Sequence, residues 1–137
     1  MKKILIGGAS GFVGQKLTPF LTKAGYEVYC LVRHKPESKR EIFWDPAQNE
    51  IDLHKLEGFF GFINLSGESI VSGRWTPAKK KKILDSRVAS TRLFVEALRH
   101  IKKKPKVFLS ASAIGYYGNR PDEILNETSK GGQGFLA

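Results

Sequence analysis

The sequence has little cysteine, few acidic side chains and no long apolar run. Its 137 residues include a single cysteine, Cys30, which excludes an internal disulfide and predicts a small buried side chain in a reducing compartment. No apolar run is long enough to cross a bilayer, and Lys2-Lys3 precede only a short apolar stretch. We therefore expect neither a membrane span nor a signal peptide, and we predict a cytoplasmic protein of one domain.

Acidic residues number 13 against 23 lysines and arginines, which gives a formal net charge of +10 at pH 7. Much of this excess lies in two runs, Lys79–Lys82 and Lys102–Lys104. Such an excess attracts nucleic acid, anionic membrane or a phosphorylated ligand. The sequence has no helix-turn-helix spacing, no zinc-finger ligands and no aromatic RNA-binding pattern. We therefore interpret both runs as solvated helix surface, and predict no nucleic-acid partner, no membrane partner and no metal site.

What the sequence does have is a glycine-rich turn near its N terminus. The apolar run Ile4–Ile6 leads into Gly7-Gly8-Ala9-Ser10-Gly11-Phe12-Val13-Gly14, and an amphipathic stretch follows. This order predicts a strand, a tight turn and a helix. Gly8 would take the backbone angles of the turn, Gly11 would let a pyrophosphate approach, and Gly14 would let the helix pack closely on the strand. The alternative is a glycine-rich turn that binds nothing.

The second predicted strand, Tyr26–Val32, ends at Arg33. In dinucleotide-binding units an acidic residue at this strand tip binds the ribose hydroxyls, whereas an arginine accommodates a 2′-phosphate. Arg33 lies 19 positions after Gly14, and His34 and Lys35 follow it. Because a guanidinium pairs well with phosphate, this tip predicts a preference for NADP(H) over NAD(H). The alternative is a surface arginine that closes a strand.

Three further strands are predicted, at Glu41–Pro46, Phe59–Leu65 and Lys106–Ser110. Thr76-Pro77 predicts the start of a long helix between the last two. The resulting order β-α-β-β-β-α-β predicts an α/β fold, a Rossmann-type doubly wound parallel sheet with strand order 3-2-1-4-5 and helices on both faces.

The fourth predicted strand is continuously apolar, as expected for a strand buried on both faces. It ends in the small-residue turn Ser66-Gly67. Ligands of open α/β sheets bind at the carboxyl edge of the strands. Leu65, Ser66 and Gly67 are therefore predicted walls of a cofactor cleft.

Four stretches together carry a family resemblance: Gly7–Gly14, Ile63–Ile70, Gly73–Thr76 with Asp85–Arg87, and Ser110–Gly118. They resemble the N-terminal half of an atypical short-chain dehydrogenase/reductase. Within that superfamily they are similar to the branch of nucleoside-diphosphate-sugar epimerases and NAD-dependent epimerase/dehydratases. The resemblance covers essentially the whole chain. Two positions depart from the usual pattern, since Gly7 stands where Thr is usual and Ser66 where Ala is usual.

The resemblance implies an NADP(H)-binding domain of an epimerase/dehydratase-like or oxidoreductase enzyme that acts on a sugar nucleotide or another carbonyl or hydroxyl substrate. It implies that Ser112 hydrogen-bonds the reacting substrate oxygen; the alternative is a strand-end hydroxyl that satisfies backbone groups. It alone adds Phe12, Val13, Lys82 and Arg87 to the site. The full predicted cofactor-binding set is Gly8, Ser10, Gly11, Phe12, Val13, Gly14, Val32, Arg33, Leu65, Ser66, Gly67, Lys82 and Arg87. The alternative function is a non-catalytic regulatory protein that senses the dinucleotide.

The superfamily's proton donor is normally a tyrosine with a lysine four positions later. None of the four tyrosines, Tyr26, Tyr29, Tyr116 and Tyr117, has a lysine at that offset. The resemblance also implies that the C-terminal substrate-binding part of the family fold lies outside residues 1–137. We therefore assign residues 1–137 to an NAD(P)-binding Rossmann domain, incomplete relative to the full family fold, and expect no reductase turnover from it alone. Because an uncovered last strand recruits other chains, we also expect self-association.

Overall fold

The computed structural model describes residues 1–137, apart from the side chain of Ile114. The described residues form two helices and six strands, with four of the strands following one another between the helices. In chain order they are β1 (Lys3–Gly7), α1 (Gly14–Lys23), β2 (Glu27–Val32), β3 (Glu41–Asp45), β4 (Glu50–Ile51), β5 (Gly61–Asn64), α2 (Pro77–His100) and β6 (Val107–Ser110). Single 3₁₀ turns span Leu53–Leu56 and Ile114–Tyr117.

The six strands form one sheet in the order β4-β3-β2-β1-β5-β6. All neighbours are parallel except β3 and β4, which form an antiparallel hairpin. Because β5 and β6 are the fourth and fifth strands predicted from the sequence, the predicted order 3-2-1-4-5 is confirmed. The two-residue strand β4 was not predicted. Its hairpin closes at Asp45, whose carboxylate accepts hydrogen bonds from the backbone N–H groups of Ala47 and Gln48.

The strand register brings the predicted site segments to one edge of the sheet. Gly7, the last residue of β1, lies opposite Leu31 in β2 and Asn64 in β5. Asn64 in turn lies opposite Ser110 at the end of β6. The segments that follow β1, β2, β5 and β6 therefore all leave the sheet at its carboxyl edge, where open α/β sheets bind ligands.

Alternation of side chains along the strands gives the sheet two apolar faces. On one face, α2 packs through Phe94 against Leu5 and Phe62 in the larger cluster. On the other face, α1 packs through Leu17 and Leu21 on a smaller cluster. All four residues of β5 are buried, which confirms the predicted strand covered on both sides. The predicted placement of helices on both faces is also confirmed.

Cys30 belongs to the smaller cluster on the face covered by α1. The sequence predicts a small buried side chain here, and the structure shows one that is half-buried. Burial, with a smaller contribution from the Glu41 carboxylate, raises the pKa of the Cys30 thiol. The thiol is therefore kept protonated, as expected of a packing residue and not of a nucleophile.

The helical spacing of apolar residues in the sequence predicts a stripe that includes Phe12 and Val13 in the first helix, and one that includes Leu84, Val88 and Val95 in the second; for these five residues the prediction is wrong. Phe12 and Val13 are exposed because α1 begins only at Gly14, so both lie in the turn before the helix. In α2 the buried face includes Ser90 and Ala97, whereas Leu84, Val88 and Val95 are exposed. No helix among the residues described here is long and apolar enough to span a membrane.

Glu57, in the segment before β5, is hydrogen-bonded to the residues that follow the C-terminal end of α2. Its carboxylate accepts hydrogen bonds from the backbone N–H groups of Lys102 (2.8 Å) and Lys103 (2.7 Å). These bonds hold the pKa of Glu57 below its ordinary value of 4.5. A carboxylate with a depressed pKa stabilises the fold above its unfolded-state pKa, and the contribution is lost as the pH falls through the lower folded-state value.

We therefore expect Glu57→Gln to lower the stability of the chain near neutral pH and to make little difference well below pH 4.5. Urea unfolding of wild type and variant across this pH range measures the difference. Glu50→Gln, at an exposed position with no ion pair among the described residues, is the matched control. A pH-independent difference between wild type and Glu57→Gln would contradict the assignment.

Candidate functional site

The turn between β1 and α1 is shaped by two glycines that the packing requires. Gly8 has a φ of +82°, and a Cβ there would lie 2.7 Å from the carbonyl carbon of Leu65. A Cβ at Gly14 would lie 2.4 Å from the Gly8 carbonyl oxygen and 2.6 Å from the Cα of Ala9. The positive φ of Gly8 agrees with its predicted role in the turn. At Gly14 the close contact is with the turn residues Gly8 and Ala9, and not with strand β1 as the sequence predicts.

Gly11 differs from its two neighbours in the motif. A Cβ at Gly11 would contact only the Gly8 carbonyl oxygen, at 3.3 Å. Packing within the chain thus demands a glycine here much less than at Gly8 or Gly14. The backbone at Gly11 is open on its outer side, as the approach of a ligand to the main chain requires.

The start of α1 presents backbone donors. The residue before the helix, Val13, provides no side-chain cap. Among the described residues, the N–H groups of Phe12 and Val13 donate no hydrogen bond, whereas Gly11 donates to Gly8 and Gln15 donates to Gly11. Unpaired N–H groups at the positive end of a helix are suited to hold an anion. Ser10 lies beside them, and its carbonyl oxygen accepts a hydrogen bond from the Gln15 side chain.

The Leu65–Gly67 turn after β5 lies against the glycine turn and forms the second wall of the candidate site. Asn64 holds this turn in place. The Asn64 side chain is buried; its amide nitrogen donates to Thr91 Oγ1 (3.2 Å) and its oxygen accepts from the Ser66 N–H (3.1 Å). The Leu65 N–H donates to the Gly7 carbonyl oxygen at 2.8 Å. No role for Asn64 is predicted from the sequence, although an amide inside an apolar strand is a signal that could have identified it.

The two departures from the family pattern lie next to each other. A Cβ at Gly7 would lie 2.8 Å from Ser66 Oγ and 3.0 Å from the Phe94 ring. A threonine at position 7 therefore has no room beside this serine. Ser66 Oγ is itself buried and has no hydrogen-bond partner among the described residues.

Arg87 and Lys82 lie on α2 and both contact Glu68, the residue after the β5 turn. Arg87 Nη1 donates to the carbonyl oxygens of Glu68 and Ile83, each at 3.1 Å. Its guanidinium carbon would lie 3.1 Å from a Cβ at Gly67, so the arginine covers this turn closely. Lys82 Nζ lies 3.5 Å from the Glu68 carboxylate.

Lys79 is the strongest partner of the Glu68 carboxylate, at 2.6 Å. Its hydrogen bond, followed by the charges of Lys79 and Lys82, holds the pKa of Glu68 below its ordinary value despite partial desolvation. Lys79 also donates to Ser72 Oγ. The interpretation of the Lys79–Lys82 run as solvated surface is therefore wrong for Lys79, because its side chain is largely buried against Glu68 in the loop that precedes α2.

The remaining predicted residues lie at the same edge but apart from this cluster. Val32 ends β2, and Arg33 follows it with an exposed side chain that makes no hydrogen bond or ion pair among the described residues. Ser112 is exposed beyond the end of β6. The structure thus brings the glycine turn, the Leu65–Gly67 turn and Arg87 together, and among the described residues neither Arg33 nor Ser112 has a side-chain hydrogen bond to them.

The last residues of the chain also reach this edge. The ring of Phe135 packs edge-on against Trp75 at 5.8 Å between centroids, and the Gly132 N–H donates to the Tyr116 carbonyl oxygen at 2.7 Å. Residues 131–137 therefore bridge the loop after β5 and the turn after β6. No apolar periodicity in the sequence marks this contact, because it depends on single residues in irregular segments.

Comparison with known proteins agrees with this architecture. The sequence profile of the NAD dependent epimerase/dehydratase family matches residues 4–133. An epimerase family protein of Mycobacterium bovis is 36% identical over 134 residues, which cover 98% of this chain and 44% of the relative. The chain thus spans less than half the length of this curated relative.

Two solved structures show the same fold. The human epimerase family protein SDR39U1, solved with NADPH, superposes with a TM-score of 0.82 at 30% identity, over 98% of this chain and 44% of the human one. MoeE5, in complex with UDP-glucose and NAD, superposes with a TM-score of 0.72 at 25% identity, over 94% and 42% of the two chains. With its profile match over nearly its whole length, the chain belongs to the NAD dependent epimerase/dehydratase family.

Proposed function

We propose that this chain is the NADP(H)-binding domain of an epimerase/dehydratase-like or oxidoreductase enzyme. The observation that carries the proposal is the packing of the Gly8–Gly14 turn against the Leu65–Gly67 turn at the carboxyl edge of the sheet. This arrangement presents backbone N–H groups, an open backbone at Gly11 and a nearby arginine on one surface. The human relative solved with NADPH supports the choice of ligand class.

The residues present fit a dinucleotide. The N–H groups of Phe12 and Val13, with the backbone of Gly11, would hold the pyrophosphate. Leu65 and Ser66 would form the wall beside it, and Arg87 would add positive charge. The bound nicotinamide would supply a hydride donor or acceptor to the reaction.

Ser112 is the proposed catalytic residue. Its hydroxyl is exposed at the carboxyl edge, where it would donate a hydrogen bond to the oxygen of a carbonyl or hydroxyl substrate as that oxygen gains negative charge. A sugar nucleotide is the substrate class we favour, because the similar protein MoeE5 was solved with UDP-glucose.

We expect the chain to bind NADPH more tightly than NADH, and Arg33→Ala to remove the difference. Loss of one charge-assisted hydrogen bond to the 2′-phosphate should weaken NADPH binding by about tenfold or more and leave NADH unchanged. Fluorescence titration with each dinucleotide measures both affinities.

The matched control is Arg40→Ala, which makes the same change in charge immediately before β3, where Arg40 lies 4.0 Å from the Glu27 carboxylate. A nonspecific effect of net charge on a charged ligand would appear in both variants. Equal affinity of the wild-type chain for the two dinucleotides, unchanged by Arg33→Ala, would show that Arg33 is only a surface residue.

A further inference from the structure

Glu68 joins the turn after β5 to α2 through three separate groups. Its backbone N–H donates to Ser86 Oγ at 2.9 Å, and its carbonyl oxygen accepts from Arg87 Nη1 at 3.1 Å. Its carboxylate pairs with Lys79 at 2.6 Å and with Lys82 at 3.5 Å. One residue thus fixes the loop, the arginine and two lysines relative to one another.

The ion pair between Glu68 and Lys79 is unlike the other pairs on α2. The Lys79 side chain is 15% exposed and that of Glu68 is 25% exposed, whereas Lys81 and Asp85 are 75% and 55% exposed. Water screens exposed pairs so that they contribute little, whereas shielded pairs with good geometry hold their partners in place. This shielded pair therefore holds the loop that contains Glu68 against α2.

The N-terminal end of α2 needs a negative charge that its own sequence does not provide. Its first turn contains no acidic residue, and lysines begin at Lys79. Positive side chains at the positive end of a helix dipole are unfavourable, and a carboxylate there is favourable. Glu68 supplies a carboxylate from the neighbouring loop, 2.6 Å from Lys79 and 3.5 Å from Lys82 in the first turns of α2.

We propose that Glu68 is a positioning residue of the dinucleotide site, which sets the place of the Leu65–Gly67 wall and the direction of the Arg87 guanidinium. This assignment rests on the proposed function. Glu68 acts through Arg87 and the wall and does not itself contact the anionic cofactor. The positions of the Leu65–Gly67 wall and of Arg87 depend on each other at Gly67, because Arg87 packs directly over this glycine.

If Glu68 acts through its charge, its substitution should change the affinity for NADPH in one direction. If Glu68 acts by positioning the loop, the change should be in the opposite direction. Glu68→Gln removes a negative charge beside an anionic ligand, so electrostatics alone would tighten binding. Lys79→Gln removes a positive charge, so electrostatics alone would weaken binding. If the Glu68–Lys79 pair acts by holding the loop on α2, both substitutions weaken NADPH binding, since each breaks the same ion pair.

The test is fluorescence titration of the 137-residue chain with NADPH at a temperature where melting curves show every variant folded. We expect Glu68→Gln and Lys79→Gln each to weaken binding by about tenfold, the scale of one charge-assisted hydrogen bond. In an Arg87→Ala background, we expect Glu68→Gln to add less than about twofold, because the positioned group is gone. A purely structural role would lower the melting temperature without this dependence on Arg87.

The control is Glu96→Gln, which makes the same charge change at the far end of α2, where Glu96 pairs with Arg99 on the surface. If Glu68→Gln does not fold, Lys79→Gln with and without Arg87→Ala decides the same question. Unchanged or tighter NADPH binding in Glu68→Gln, beside a wild-type chain that binds, would overturn this assignment alone. A wild-type chain that binds neither NADPH nor NADH would overturn the proposed function and this assignment together.

Discussion

The Gly14→Ala variant is expected to lose about 3 kcal/mol of unfolding free energy, whereas Gly11→Ala should keep its stability within about 1 kcal/mol. A methyl group at position 14 would lie 2.4 Å from the Gly8 carbonyl oxygen and 2.6 Å from the Ala9 Cα. Both are backbone atoms, so relief requires α1 to move away from the turn. At position 11 the contact is a single one of 3.3 Å.

For Gly11→Ala the expected effect is on ligand binding and not on stability. A methyl group on the open side of Gly11 would occupy the space through which a pyrophosphate approaches the main chain. We therefore expect Gly11→Ala to bind NADPH at least about tenfold more weakly while remaining folded, a loss equivalent to about one hydrogen bond to a charged group.

Thermal unfolding and NADPH titration of both variants give the answer, and each variant is the control of the other. For a chain of this size we expect a melting temperature about 10 °C lower for Gly14→Ala. Equal destabilisation of the two variants would mean that Gly11 is required by packing. Wild-type affinity in Gly11→Ala would show that no ligand approaches its backbone.

The sheet order could be predicted because each element carries a local signal. Strands without helical periodicity, the glycine turn after Ile6 and the cap at Thr76 determine what each segment forms. Right-handed crossovers then leave few arrangements of parallel strands. Because β1, β2 and β5 are parallel, the segments that follow them leave the sheet at one edge. The glycine turn and the Leu65–Gly67 turn could therefore be predicted to lie together.

The parts that could not be predicted depend on contacts that leave no repeating pattern in the sequence. Asn64 is hydrogen-bonded to Thr91, 27 residues later, and no periodicity shows which polar residue will be buried. Lys79 has the sequence context of a surface lysine, yet its partner Glu68 lies in the loop before the helix. The hairpin strand β4 is two residues long, too short for any repeating pattern.

The boundary of α1 illustrates a different source of error. The apolar residues Phe12 and Val13 continue the spacing of Leu17 and Leu21, so the sequence places all four on one helix face. The close contact of Gly14 with Gly8 and Ala9 delays the helix until residue 14 and leaves Phe12 and Val13 outside. Their exposure at the helix start is compatible with the cofactor contacts that the resemblance implies for them.

The second large effect concerns the edge of the sheet at β6. Among the described residues this strand pairs only with β5, so the backbone groups of its outer side have no strand partner there. Phe108 packs on Phe94 beneath α2, but Val107 and Leu109 point to the opposite face. There α1 covers a cluster to which neither residue belongs, and both remain exposed.

An unpaired strand with apolar side chains recruits another chain. We therefore expect the 137-residue chain to self-associate as its concentration rises, through β6. Leu109 is 54% exposed, and burying a leucine side chain is worth about 1.5–3 kcal/mol. Leu109→Lys should accordingly weaken the association constant by at least about tenfold, because it places a charge where the partner would pack.

Sedimentation velocity over a range of concentrations tests this expectation. Leu84→Lys is a close control, since Leu84 is 55% exposed on α2, away from the strand edge, and the substitution adds the same charge to a chain of net charge +10. General repulsion between positively charged chains would weaken association in both variants equally. A wild-type chain that stays monomeric at every concentration, or equal effects of the two substitutions, would show that the β6 edge does not recruit a second copy.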